Sequence, residues 1–393
     1  MGLGGSSGYG RGMTSEPSGG QHVAPRKDDG SYLSLIDGVR GLAAMAILFY
    51  HYVHFFMPGP SRQAPPGAQD VYPAHEQFWL LYDHGYLAVQ VFWLISGFVF
   101  SHVYHGQSAS TRSFVVNRLA RLYPLHILTL AVVCLLQWIA LERLGYTPIY
   151  GKFDLVHFIP HLFLASAWWT EGGGYSFNGP VWSVSAEVVI YALFWQLRGL
   201  VARGGLPLVL AIVLGFYLAH HYFGDYSPVF ACGFYFFTGS GLSLLWQSRS
   251  AGGRPLAAII VGLAAFGLAG AFGGSDWALR YLALPGLCGA LFLLLAAAER
   301  RAPGGLRRVC QWLGENTYGV YLWHFPLQLC AMLLMMPSVY PGEIASNGWF
   351  LAAYLLVVAT VARVSFVWFE RPLRDIIRRR FSGGRQAGKV GAP

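Results

Sequence analysis

The sequence predicts an all-α protein, a polytopic transmembrane helical bundle of about ten spans plus one short re-entrant or interfacial helix. Of its 393 residues, 55% are hydrophobic and only 11% are charged, whereas soluble domains carry about 25% charged residues. The mean hydropathy is +0.45. The apolar residues are concentrated in runs long enough to cross a bilayer, so the chain is predicted to fold in lipid.

Eleven apolar runs are candidate membrane helices, since a span needs about 20 mostly apolar residues. One of them, 155–168, is too short to span comfortably, so we predict that it is interfacial or re-entrant and that the other ten cross. The runs are 34–57, 84–105, 114–141, 155–168, 180–200, 206–222, 228–247, 256–273, 278–298, 312–336 and 347–370.

The charges of the loops predict the orientation. Arginines crowd the stretch 371–380, and Arg26 and Lys27 precede the first run. Because cytoplasmic loops carry an excess of Lys and Arg, both termini are predicted to be cytoplasmic. The loops 223–227, 274–277 and 337–346 contain no Lys or Arg and are predicted to lie outside. We expect a multi-pass protein of the bacterial cytoplasmic (inner) membrane.

The predicted organisation is a disordered N-terminal tail (1–31), one membrane domain (32–376) and a basic C-terminal tail (377–393). The net charge of +9 is explained by loop arginines, and no basic face with interleaved aromatic residues indicates nucleic-acid binding. The five cysteines are scattered without CxxC or zinc spacing, so no metal site is predicted. The sequence does not predict the oligomeric state.

Ionisable residues in the first run are the first sign of function, because a charge at membrane depth is costly unless it is paired or faces a cavity. Arg40 and His51 are eleven residues apart, which on a helix places them on one face about 16 Å apart. Asp37 is spaced to pair with Arg40. The alternative is that Arg40 extends to the interface and His51 is a hydrogen-bonded core residue.

Other polar residues interrupt later runs. Arg118 and Arg121 share a face at the start of the third run and could grip phosphates, although simple cytoplasmic anchoring would also explain them. Glu187 lies two turns into the fifth run, where it needs a cationic or histidine partner, and a purely structural pair with an arginine is the alternative. His324, in the tenth run, is interpreted as a helix-packing hydrogen bond.

Five segments together resemble acyltransferase family 3, the membrane O-acyltransferases that modify bacterial surface glycans and some small molecules. The resemblance covers about residues 32–376, and its segments occur in the family's order. Gln90 and Asn117 depart from the usual aspartate and basic residue, which leaves the details of donor binding open. The matching segments are 35–44 with His51 (an arginine, ten residues, then histidine), 92–98, 114–124, 182–187 and 318–326.

The resemblance implies transfer of an acyl group, most often acetyl from acetyl-CoA, to a hydroxyl. The acceptor would be a sugar of a surface or exported glycan, such as an exopolysaccharide, an O-antigen or a lipid-linked saccharide. His51 fits the general base because histidine titrates near neutrality, and Glu187 could orient it. Further candidate site residues are Asp37, Ser185, Trp182, Tyr318 and His324.

The arginines have predicted roles in binding the donor. Arg118 and Arg121 would hold the CoA phosphates at the cytoplasmic mouth, and Arg40 would seat the donor or neutralise charge. Two other functions stay open at this point. Buried Arg, His and Glu also suit a proton-coupled transporter or flippase, and an O-acyltransferase of this type could act on a macrolide-like small molecule. Release of free CoA in the presence of acceptor would identify the enzyme.

Overall fold

A computed structural model describes residues 32–57, 59–104, 110–168, 175–224, 226–248 and 253–381, and the predicted tail 1–31 lies outside them. Within these ranges the chain is helical, and the one isolated β-bridge joins Lys152 and Ser176. The fourteen α-helices are α1 Ser34–Tyr50, α2 His75–His84, α3 Ala88–Tyr104, α4 Thr111–Leu144, α5 Leu155–Leu162, α6 Trp182–Phe223, α7 Val229–Ser248, α8 Gly253–Phe272, α9 Asp276–Ala278, α10 Leu284–Ala298, α11 Gly304–Met335, α12 Pro341–Ala345, α13 Gly348–Ser365 and α14 Arg371–Phe381.

The described helices account for the predicted ten spans. Eight helical stretches are long and apolar enough to cross a membrane, and 256–272 is a shorter apolar helix. Helix α6 has 42 residues, a length of about 63 Å, which is twice the hydrocarbon thickness of a bilayer. It is broken at Gly205, where φ is +57° and ψ is −149°. Counting its two parts separately and adding 256–272 gives ten segments.

The run 155–168 forms only the eight-residue helix α5, about 12 Å long. Asp154 caps its N-terminus by accepting a hydrogen bond from the His157 backbone N–H at 2.9 Å. The Leu155 and Val156 side chains are 73% and 78% exposed. A helix of this length is too short to span the membrane, as predicted.

Glycines set the spacing between α3 and α7. A Cβ added at Gly97 would clash with the carbonyl oxygen of Phe236, and one at Gly239 would clash with that of Leu94. Small residues at such positions let two helical backbones approach closely, which is how membrane helices gain van der Waals contact. The close contact with α7 fixes the position of α3, the helix that carries Ser96 and Phe100.

The N-terminus of α1 is anchored by a buried carboxylate. Glu299, between α10 and α11, is 2% exposed. It accepts hydrogen bonds from the Ser34 hydroxyl, from the Leu35 backbone N–H at 2.9 Å and from Arg307 Nε at 3.2 Å. A carboxylate at a helix N-terminus satisfies free N–H groups and interacts favourably with the helix dipole. This bond network fixes α1 against α11, the two helices that carry most of the site.

At the other end of the chain, the last span continues past the predicted domain boundary. A π-helical turn, Phe366–Glu370, connects α13 to α14. Helix α14 runs to Phe381, so the boundary predicted at residue 376 falls inside a helix. Helix α14 packs against α4, which places the basic C-terminal segment beside Arg118 and Arg121.

Candidate active site

The first span presents Arg40 and His51 at different depths, as the spacing predicts. Helix α1 ends at Tyr50, and the chain continues as a 3-10 helix from His51 to Phe56. Such a change of helix type within a span often marks a functional position. His51 is therefore the first residue beyond the regular helix, about 16 Å along the axis from Arg40.

Three histidines meet at this level, and we call His51, His54 and His324 the histidine cluster. The His51 ring centroid lies 5.2 Å from that of His54 and 5.0 Å from that of His324. His51 is partly exposed, whereas His54 and His324 are buried. His51 is thus the most accessible member of the cluster.

The hydrogen bond of His51 defines its tautomer. Its Nδ1 lies 3.0 Å from the Ile47 carbonyl oxygen. A carbonyl only accepts hydrogen bonds, so Nδ1 carries the hydrogen and donates it. Nε2 of the neutral ring is then left with its lone pair, which is the form a general base requires.

Gln328 links the histidine cluster across helices, and the sequence analysis missed it. Its Nε2 donates to the His51 carbonyl oxygen at 2.7 Å, so its Oε1 faces Nδ1 of His54 at 3.0 Å. His54 therefore also donates through Nδ1. The available sequence signal was that Gln328 lies four residues after His324, on the same face of α11.

His324 forms a hydrogen bond within its own helix and also lies in the histidine cluster. Its Nδ1 lies 2.7 Å from the Tyr321 carbonyl oxygen in the preceding turn. Its Nε2 is buried without a hydrogen-bond partner among the described residues. The ring also contacts His51, and the hydrogen bond to another helix expected of this side chain stays a prediction.

A second group of polar residues lies toward the start of α1, and we call Arg40, Arg118 and Arg121 the arginine cluster. Arg40 Nη1 lies 3.2 Å from Asp37 Oδ1, as predicted, and both side chains are largely buried. Asp37 also accepts a hydrogen bond from the Tyr32 hydroxyl. Burial raises the pKa of Tyr32, and the Asp37 charge raises it further. Tyr32 therefore stays protonated and donates to Asp37.

Arg118 and Arg121 occupy different surroundings on α4. The Arg118 guanidinium lies over the Phe100 ring, 4.8 Å from its centroid. Arg121 is exposed, yet Arg40, Arg118 and Asp37 lie within electrostatic range of it. An accessible guanidinium near charges from two helices is placed to meet an anionic ligand.

Glu187 lies near the arginine cluster. Its side chain interacts with Ser96 and Tyr191, and Arg40 and Arg118 are the cations that act on it. Among the described contacts, the Ile47 carbonyl orients the His51 ring. The role of Glu187 in orienting His51 stays a prediction, and the cations that act on its carboxylate are Arg40 and Arg118. Tyr191, four residues on, could have been found from helical spacing.

The remaining predicted site residues, Ser185, Trp182 and Tyr318, contact neighbouring segments of the chain. Ser185 Oγ accepts a hydrogen bond from the Ala167 backbone N–H at 3.1 Å, which ties α6 to the segment after α5. Trp182 packs edge-on against Trp93 at 5.8 Å between centroids. The Tyr318 hydroxyl donates to the Leu122 carbonyl at 2.7 Å, next to Arg121.

All five cysteines are free. Within the described ranges, no group of three or more His, Cys, Asp or Glu side chains is arranged to hold a metal ion. The site offers two kinds of chemical group. The histidine cluster provides a partly exposed imidazole that can act as a base, and the arginine cluster provides guanidinium groups that can bind an anionic ligand.

Comparison with known proteins identifies the family of this helical membrane protein. A family model described as an acyltransferase domain matches residues 33–367. The chain belongs to this family, acyltransferase 3, and is a membrane acyltransferase. This favours the enzyme over the transporter. No solved structure matches the chain.

Three curated relatives are similar over different lengths. Protein 2 in the picA locus of Rhizobium radiobacter is 30% identical, over 46% of this chain and 91% of that protein. BcsY of Komagataeibacter xylinus, whose name describes a membrane-bound transacylase, is 25% identical, over 90% of this chain and 86% of its own. Peptidoglycan O-acetyltransferase OatA of Listeria monocytogenes is 24% identical, over 87% of this chain but only 56% of OatA.

Proposed function

We propose that this protein is an O-acetyltransferase that moves an acetyl group from acetyl-CoA to a sugar hydroxyl of a surface or exported glycan. The observation that carries the proposal is the His51 ring, held by the Ile47 carbonyl with Nε2 free to accept a proton. The name of the relative OatA, a peptidoglycan O-acetyltransferase, supports a glycan acceptor and an acetyl group.

The proposed reaction is a direct transfer. The acceptor oxygen attacks the thioester carbonyl carbon while His51 Nε2 takes the hydroxyl proton, which a neutral alcohol could not otherwise release. The C–S bond then breaks, and the leaving thiolate takes the proton back from the imidazolium. The products are the acetyl ester and free CoA, and the His51 ring returns to its starting form.

The arginine cluster is proposed to hold the phosphates of the donor. Guanidinium groups bind phosphate oxygens through paired, charge-assisted hydrogen bonds. A donor bound there must extend its acyl end about 16 Å along α1 to reach His51. With the basic loops inside, the arginine cluster faces the cytoplasm, where acyl-CoA is available, in a bacterial inner membrane.

The test is release of free thiol from acetyl-CoA by the purified chain in the presence of glycan acceptor. His51→Ala should abolish release, because no other described group of the cluster is both accessible and basic. His221→Ala removes an exposed histidine of α6 and should keep the wild-type rate. A well-folded His51→Ala protein with wild-type rate would contradict the proposed base.

A further inference from the structure

Helix α14 presents two kinds of arginine. Arg374 and Arg378 are half-buried, whereas Arg371, Arg379 and Arg380 are exposed. Arg374 and Arg378 are four residues apart and so lie on one face of the helix. Because α14 packs against α4, this inward face lies beside the arginine cluster.

The inward pair is electrostatically connected to the cluster. The charges that act on Arg378 include those of Arg374 and Arg118. Glu370 lies in the π-helical turn before α14, and the charges of both Arg121 and Arg374 act on it. Side chains of α4 and α14 therefore form one continuous basic surface at this end of the bundle.

This surface contains donors without acceptors. The Nε atoms of Arg118, Arg374 and Arg378 are buried and have no hydrogen-bond partner among the described residues. Arg374 Nε lies 3.7 Å from Asp375 Oδ1, which is too long for a hydrogen bond. Like charges gathered around unpaired buried donors are costly. A ligand with several acceptor oxygens and more than one negative charge, such as a phosphate monoester, would satisfy them.

We infer that Arg374 and Arg378 act with Arg118 to bind the ribose 3′-phosphate of the CoA donor. The inference rests on the proposed function and extends the donor site from α4 to the C-terminal helix. Of the phosphates of CoA, the 3′-phosphate is the monoester and carries the most charge. The exposed arginines of α14 face away from this surface and do not take part.

The experiment compares CoA with dephospho-CoA, which lacks the 3′-phosphate, in direct titrations of the purified full chain. The wild-type protein should bind CoA about 10–100-fold more tightly, the scale of one or two charge-assisted hydrogen bonds. Arg374→Ala/Arg378→Ala should lose this preference while its affinity for dephospho-CoA stays unchanged. Arg379→Ala/Arg380→Ala, which removes the same charge from the exposed face, should behave as wild type.

Three outcomes would overturn the inference. A wild-type protein that binds both ligands equally has no 3′-phosphate site, and a double variant that keeps the preference places that site elsewhere. If the double variant loses only its stabilisation by phosphatidylglycerol nanodiscs, the arginines bind lipid headgroups instead. Arg374→Gln/Arg378→Gln repeats the test with longer polar side chains should the alanine variant fold poorly. Failure of the wild type to bind CoA at all would refute the proposed donor as well.

Discussion

At the scale of single residues, the orientation of the His51 imidazole decides what the site can do. The ring is held by the Ile47 carbonyl, and the backbone of His51 is held by Gln328. The sequence predicted that Arg40 and His51 share a face, because helical spacing fixes direction. It did not predict Gln328 or the partners of Glu187, because contacts between helices depend on how the helices pack.

Gln328→Ala should lower kcat about tenfold and leave the KM for acetyl-CoA unchanged. The substitution removes the bond to His51 and leaves His54 without its acceptor, but touches no part of the arginine cluster. Steady-state kinetics with varied acetyl-CoA measure both constants. Gln311→Ala is the control, since Gln311 lies on the same helix and bonds to Glu315. Equal kcat values for wild type and Gln328→Ala would rule out a positioning role.

Arg118→Ala should raise the KM for acetyl-CoA about tenfold with a smaller effect on kcat, because it removes a charge-assisted bond to the donor. The same kinetics measure the change. Arg112→Ala removes an exposed arginine from the first turn of the same helix and should leave KM at the wild-type value. An unchanged KM in Arg118→Ala would exclude this arginine from the donor site.

At the scale of helices, hydropathy predicted the spans well because the cost of exposing polar groups to lipid fixes where apolar runs must lie. The separate runs 180–200 and 206–222 predicted a break where α6 is interrupted at Gly205, but the change to a 3-10 helix at His51 was not predicted. That change depends on local backbone conformation, which hydropathy does not measure. The α3–α7 contact was also missed, since scattered glycines have many meanings in a sequence.

Gly239→Ala should destabilise the protein by about 1–3 kcal/mol, because its new methyl group would meet the Leu94 carbonyl of α3. The expected result is a lower melting temperature and a lower yield of monodisperse protein in detergent. Gly215→Ala is the matched control, since it also lies within a helix but has open space around its Cβ position. Equal melting temperatures for the two variants would show that the close approach of α3 and α7 is not needed.

At the scale of the whole molecule, the described helices form one bundle with two polar levels, the arginine cluster and the histidine cluster, joined by α1. This arrangement suits a donor whose charged and reactive ends are far apart. The sequence predicted a polytopic helical bundle and the residue at which α1 begins. The contribution of α14 was not predicted, because its arginines were interpreted only as orientation signals and their two faces become distinct only after the helix packs on α4.

The most direct measurement is a structure of the full chain in a bilayer mimetic with a non-hydrolysable acetyl-CoA analogue. We expect the phosphates to lie within hydrogen-bond distance of Arg118 and Arg121, and the acyl carbonyl to lie beside His51 Nε2. An analogue bound with its acyl end away from the histidine cluster, or a His51 ring that faces only lipid, would contradict the account.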